Sequence, residues 1–146
     1  MNITEDTRWI IENANQFSLT ELEVSSKLQQ QKSWDATYRQ IMLLGKSMIL
    51  FSMNEKRVEA EIKGCESQVW LYSYWQDGKL KLTASADSKI VRGLLAIVLA
   101  AFNNKSAEQI KSFDVESYFS TIGLQQQLSP SRSNGLNAIV NHIKRL

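Results

Sequence analysis

The sequence predicts an α+β fold, a three-stranded antiparallel meander packed by N-terminal and C-terminal helices. Three observations predict it. Residues 58–86 carry period-two alternation and strand-forming residues, Asp77-Gly78 breaks that stretch with a two-residue hairpin signal, and helical periodicity flanks it on both sides. Helices before and after a short run of strands imply that the helices cover the apolar face of the sheet.

Each element has its own signal. Residues 1–17 read either as a short helix around Trp9 or as a tail. Thr20 and Glu23 have the spacing of a capping box, with Leu19 and Val24 as the staple beside it. A second helix is expected after Ser33, with Trp34, Tyr38, Ile41 and Met48 as its buried stripe. Val58, Ala60 and Ile62 alternate with Glu59, Glu61 and Lys63, the pattern of a half-buried first strand. Residues 68–75 and 79–86 form the other two. With Asp77-Gly78 as the loop, Trp75 faces Leu80, Ser73 faces Leu82 and Leu71 faces Ala84. That register sends Trp70, Tyr72, Tyr74, Lys79 and Lys81 to the opposite face, which is either an interface or is covered by another helix. Asp87 is the expected N-cap of a helix that is apolar almost all round from 90 to 102, hence central. Ser106 with Gln109 forms a second capping box, and Asp114 caps a short helix ending near Gly123. Ser129-Pro130 starts a last helix that buries Leu136, Ile139, Val140 and Ile143.

The chain has 146 residues, the size of one domain, with 43% hydrophobic and 22% charged residues and a net charge of +2. So small a charge does not argue for nucleic acid. Residues 1–75 hold 8 basic and 10 acidic side chains, a net −2, and residues 76–146 hold 9 and 5, a net +4. A single cysteine rules out an intramolecular disulfide. The acidic N-terminal stretch lacks an apolar signal-peptide core, and the apolar run 94–102 is about half of what a bilayer requires. A cytoplasmic protein without membrane attachment is expected.

The one cysteine, Cys65, falls in the connection Gly64-Cys65-Glu66-Ser67, at what reads as a turn between two strands. Gly64 permits positive φ there. Loops on rigid scaffolds carry reactive groups, yet free cysteines are commonly inert core residues, so both readings stand at this point. A cysteine hydrolase would need His142, the only histidine, as its base. One Cys and one His without paired ligand spacing do not make an ordinary zinc site, and no Gly-rich phosphate loop or dinucleotide fingerprint is present. Arg132 lies four residues before Leu136, on the line of the buried stripe. It either snorkels from the first turn or reaches a polar partner such as the thiol loop or a docking protein.

Four segments then carry a resemblance over most of the chain: W-D-A-T-Y-R-Q-I-M-L-L-G-K at 34–46, G-C-E-S-Q-V-W-L at 64–71, I-V-R-G-L-L-A at 90–96 and L-S-P-S-R-S-N-G-L at 128–136. In this order they resemble the SufE/CsdE family of sulfur-acceptor proteins. Glu66 is similar to the CsdE branch and Ser67-Gln68 to the SufE branch, so the resemblance does not choose between them. Ala84-Ser85-Ala86-Asp87 departs from the Gly-Asp-Ser-Asp of many relatives. The resemblance implies a SufE/IscU-like fold in one domain over residues 1–146. It implies a sulfur carrier and activator of a cysteine desulfurase, not an enzyme in its own right and with no cofactor of its own. Cys65 is the implied acceptor. It takes persulfide sulfur from a pyridoxal-phosphate cysteine desulfurase of the SufS/CsdA kind and passes it to an Fe–S scaffold or another acceptor. Gly64, Glu66, Asp87 and Arg132 are the implied loop-support or docking residues. A homodimer is left open. The rival readings are a cysteine hydrolase using Cys65 and His142, and a non-catalytic protein-binding module. A lone acceptor thiol is expected to be shielded at rest, because a persulfide is vulnerable to oxidants and stray thiols.

Overall fold

A computed structural model describes residues 5–65 and 67–146. Along the chain run α1 (Glu5–Gln16), α2 (Glu21–Gln29) and α3 (Trp34–Leu44), then 3-10 turns at Gly45–Ser47 and Val58–Ala60. The strands β1 (Val69–Gln76) and β2 (Lys79–Ala86) lead into α4 (Lys89–Phe102). After a short β3 (Lys105–Ser106) come α5 (Ala107–Ser112), α6 (Val115–Thr121), α7 (Leu124–Gln127) and α8 (Pro130–Lys144). The α+β class and a three-stranded antiparallel sheet are as expected, and the sheet runs in the order β1-β2-β3.

The hairpin register is the one the pattern demands: Leu71 pairs with Ala84, Ser73 with Leu82 and Trp75 with Leu80. Asp77 and Gly78 take φ of 52° and 76°, the left-handed pair that matches the twist of a two-residue hairpin. One sheet face, with Leu71, Leu80, Leu82 and Ala84, packs into the main core with α4, in which Leu95, Ile97 and Val98 have no exposure. The other face is covered by α1. Trp9 meets Phe51 and Tyr72 edge-on at 5.2 and 5.4 Å. The buried Lys81 ammonium donates to Asn15 Oδ1 and Asn104 Oδ1, and Asn103 Nδ2 donates to Ala14 O at 2.8 Å.

The third strand is not the one expected. Val58–Ala60 form a 3-10 turn, closed by Ala60 N–H to Arg57 O and Glu61 N–H to Val58 O, and of residues 58–62 only Glu61 bridges to Trp70. Five alternating residues bury Ala60 and Ile62 equally well as a turn, and Val58 then points to solvent, 74% exposed. The sheet instead gains β3 from beyond α4. Asn104, at φ 66°, reverses the chain and donates its N–H to Leu80 O, which lays Lys105 and Ser106 beside Leu80 and Lys79.

Caps follow the sequence closely. Ser33, Ser106, Asp114 and Ser129 all accept the N-terminal amides assigned to them, and the Ser106–Gln109 box is reciprocal. Thr20 accepts from Glu23 N–H, but its hydroxyl donates to the Glu23 carboxylate, so that box is only half formed. The cap of α4 is Ser88, not Asp87: the Ser88 hydroxyl accepts from Val91 N–H, while the Asp87 carboxylate stands 3.7 Å from Lys56 Nζ. Met48 is buried but lies past the end of α3, beyond the turn that closes it.

The contact between α3 and α4 requires glycine. A Cβ on Gly93 would sit 2.0 Å from the Ile41 carbonyl oxygen, inside the backbone of α3. Gly93→Ala is therefore expected to destabilise the fold by at least ~2 kcal/mol through overpacking, measured as a lower urea midpoint. A variant as stable as the parent would show that α3 can move away at little cost.

Candidate functional site: a cysteine cleft

The loop that carries Cys65 is tied at its base. Ile62 N–H donates to Val69 O at 2.9 Å, and Asp87 N–H donates to Gln68 O at 3.2 Å, joining the return of the loop to the end of β2. Gly64 takes φ 93°, and a Cβ there would press on Ala138 Cβ of α8 at 3.3 Å. The left-handed glycine turns the chain under α8 and brings Cys65 against that helix.

Cys65 is half-buried and lines a cleft of about 310 Å³ between its loop, α4 and α8. Val91 and Leu94 of α4, with Leu136 and Ile139 of α8, supply apolar walls. Ser67, Ser131 and Arg132 supply polar groups. The thiol donates to the Gly135 carbonyl at 3.5 Å. Sequence reasoning gives Gly135 no role, although a glycine inside a helix is itself a signal of close approach. A Cβ there would lie 3.5 Å from Cys65 Sγ, within the space beside the sulfur.

Electrostatics favour the neutral thiol in this arrangement. Desolvation by burial pushes the Cys65 pKa above the ordinary thiol value. The hydrogen bond to Gly135 O is open only to the protonated form. Arg132, whose amide is held by Ser129 Oγ, makes no side-chain hydrogen bond or ion pair among the described residues. Its cation is available to an anion entering the cleft.

Of the other sequence candidates, Gly64 shapes the loop, and Asp87 anchors it through the backbone. The Asp87 carboxylate does not line the cleft; it stands 3.7 Å from Lys56 Nζ. Glu66 lies outside the described residues. His142 does not line the cleft and makes no hydrogen bond to Cys65. It follows Gly135 by two helical turns, about 10 Å along α8, so the Cys–His pair of a hydrolase is not assembled. Burial and Arg145 hold the His142 pKa below its usual range. Among the described residues no three His, Cys, Asp or Glu side chains gather as a metal site, and no helix is long and apolar enough to cross a membrane.

A model of the SufE family, an Fe-S metabolism associated domain, matches residues 22–146. The chain belongs to the SufE family. It is 40% identical over 107 residues to the sulfur acceptor protein CsdE of Escherichia coli (strain K12), covering 73% of each chain. It is 37% identical over 115 residues to a SufE-like protein of Rhizobium etli, covering 76% of this chain and 78% of that one. The fold also resembles the solution structure of a hypothetical protein from Thermus thermophilus, with a TM-score of 0.68 at 12% identity over 88% of this chain and 94% of the other. The SufE match begins after α1, so the helix that closes the second sheet face precedes the matched region.

Two measurements test this geometry. Gly135→Ala is expected to raise stability by ~0.5–1 kcal/mol, the gain from removing an interior helical glycine, and to slow alkylation of Cys65 by covering one flank of the sulfur. Faster alkylation would place the thiol elsewhere. In the parent, the alkylation rate is expected to rise with pH to a midpoint above that of a cysteine in a short unstructured peptide, because a raised pKa leaves less thiolate at any pH below it. A midpoint at or below the peptide value would contradict the desolvated site.

Proposed function

We propose that this SufE-family protein is a cytoplasmic, single-domain sulfur acceptor. In this reading Cys65 takes sulfur from the persulfide of a pyridoxal-phosphate cysteine desulfurase, stimulates that enzyme by clearing it, and hands the sulfur to an Fe–S scaffold or another acceptor. The observation that carries the reading is the half-buried Cys65 thiol in a cleft with the Arg132 cation, which has no ion pair among the described residues, and with no histidine or carboxylate among the described residues that line it. The name of the 40% identical relative, a sulfur acceptor protein, supports it.

The step is a sulfur exchange of the thiol–disulfide type. The Cys65 thiolate attacks the outer sulfur of the donor persulfide, a new S–S bond forms at Cys65, and the donor S–S bond breaks. The donor cysteine leaves as a thiolate and Cys65 carries the persulfide, so no external oxidant or reductant is consumed. At rest, desolvation and the Gly135 carbonyl hold Cys65 protonated and slow to react. Docking of the desulfurase draws the loop off α8, which removes that hydrogen bond and exposes the sulfur. Arg132 then stabilises the anionic sulfur at the mouth of the cleft. The proton lost by Cys65 passes to solvent.

Incubation with a cysteine desulfurase, pyridoxal phosphate and cysteine is expected to add the mass of one sulfur atom to Cys65, and Cys65→Ser is expected to abolish the gain. An unmodified parent protein would sink the proposal. Alkylation of Cys65 is also expected to accelerate on adding the desulfurase without cysteine, and equal rates would rule out exposure on docking.

A further inference from the structure

A second concavity, about 500 Å³, opens on the other flank of the N-terminal end of α4. Its floor is apolar: Met42 and Leu43 from α3, with Met48 and Leu50 from the segment after it. Leu43 is 41% exposed and Leu50 is 71% exposed. Four cations surround that floor, Arg39, Lys46, Lys89 and Arg92, and among the described residues no acidic side chain lines it. Among the described residues Arg39, Lys46 and Lys89 form no ion pair, and Arg92 donates only to the backbone carbonyls of Ala86 and Asp87. The chain as a whole carries only +2, so four uncompensated charges around one groove are a local concentration.

An apolar floor inside a cationic rim is complementary to a segment that presents apolar side chains flanked by carboxylates. Two methionines on the floor suit it to irregular side chains. The position narrows the occupant. Val91 and Leu94 wall the cysteine cleft while Lys89 and Arg92 wall this groove, so the two share the first turns of α4 and are separated by about a helix diameter, ~10 Å. A partner that docks over Cys65 and spans about 10 Å more around the start of α4 reaches the groove.

We propose that the groove is the docking site for an acidic, apolar-anchored segment of the cysteine desulfurase that loads Cys65. This rests on the sulfur-acceptor reading for the identity of the partner. The anchor seats on Leu43 and Leu50, and the four cations steer and orient it, so that association is fast and salt-sensitive while the chemistry stays in the neighbouring cleft.

The test uses the full chain and the intact desulfurase. The double variant Lys46→Glu with Lys89→Glu changes two exposed side chains outside the cysteine cleft, and an acid at the first turn of α4 suits the helix dipole, so folding is preserved. Binding measured by calorimetry is expected to weaken by ~10-fold or more at low salt, and its salt dependence to flatten. Desulfurase-driven loading of Cys65 should slow in parallel, while loading by glutathione persulfide, which needs no docking, should keep its parental rate. The control pair Lys27→Glu with Lys111→Glu makes the same charge change elsewhere and should leave affinity within about twofold. Equal loss in both pairs, or unchanged affinity in the first, overturns the groove. So does a finding that the Lys46/Lys89 pair alters only self-association or only binding to phosphatidylglycerol vesicles. If binding shows the expected loss but wild-type Cys65 never gains sulfur, the groove stands and the acceptor reading falls. If Cys65 is loaded equally in parent and variant, the acceptor reading stands and the groove falls.

Discussion

The contact of α3 with α4 at Gly93 is the constraint on which the rest of the molecule depends. With no side chain at Gly93, and with Gly45 set within 3.0 Å of its amide nitrogen as measured from an ideal Cβ, the two segments meet backbone to backbone. That close fit fixes α4 in the middle of the protein, where nearly every residue from Gly93 to Phe102 is buried. From there α4 serves three neighbours at once. Its apolar surface receives the sheet, Arg92 ties its first turn to the end of β2, and Val91 and Leu94 provide the wall beneath the cysteine. A shift of α4 would move the base of the cysteine loop and both concavities together.

At the cleft, two opposed requirements meet on one sulfur. In the proposed reading the Cys65 thiol has to become a thiolate to accept sulfur, yet the half-buried site favours the protonated form through desolvation and the Gly135 carbonyl. The resolution lies in where the loop is held. Its ends are pinned by Ile62–Val69 and Gln68–Asp87 backbone hydrogen bonds, whereas Cys65 itself packs on the edge of the core and makes, among the described residues, one weak sulfur hydrogen bond, to the Gly135 carbonyl of α8. Displacement at the centre of such a loop leaves its base intact. In that reading Arg132, which has no ion pair among the described residues, supplies the positive charge that the resting thiol does not use.

The second face of the sheet shows how polar burial orders the N-terminal helix. Lys81 is only 8% exposed, and an ammonium so placed requires acceptors. Asn15 from α1 and Asn104 from the turn after α4 provide them, while Asn103 accepts the Leu82 amide and donates to Ala14 O. This network links α1, β2 and the end of α4, and the Trp9 contacts with Phe51 and Tyr72 close the face beside it. Hydrogen bonds and aromatic packing together therefore hold α1 on a face that would otherwise present tryptophan and tyrosine to water.

Local patterns determined much of this protein. The hairpin register followed from Asp77-Gly78 and the alternation on either side, the helix starts from their Ser, Thr and Asp caps, and the central helix from its apolar circumference. Such features depend on neighbours in sequence, so they are legible there. Tertiary structure decided what depends on distant partners. It made Val58–Ala60 a turn and recruited Lys105 and Ser106 as the third strand, because strand pairing is settled by which chain reaches the open edge of β2. It put Ser88 in place of Asp87 as the cap, with the Asp87 carboxylate directed to Lys56 instead. It brought Arg132 to the cleft, left His142 two turns away, and set Gly135 against a thiol 70 residues distant in sequence. The motif around Cys65 marked the residue, but only the packing of α8 over its loop determined how far that sulfur is withdrawn from water.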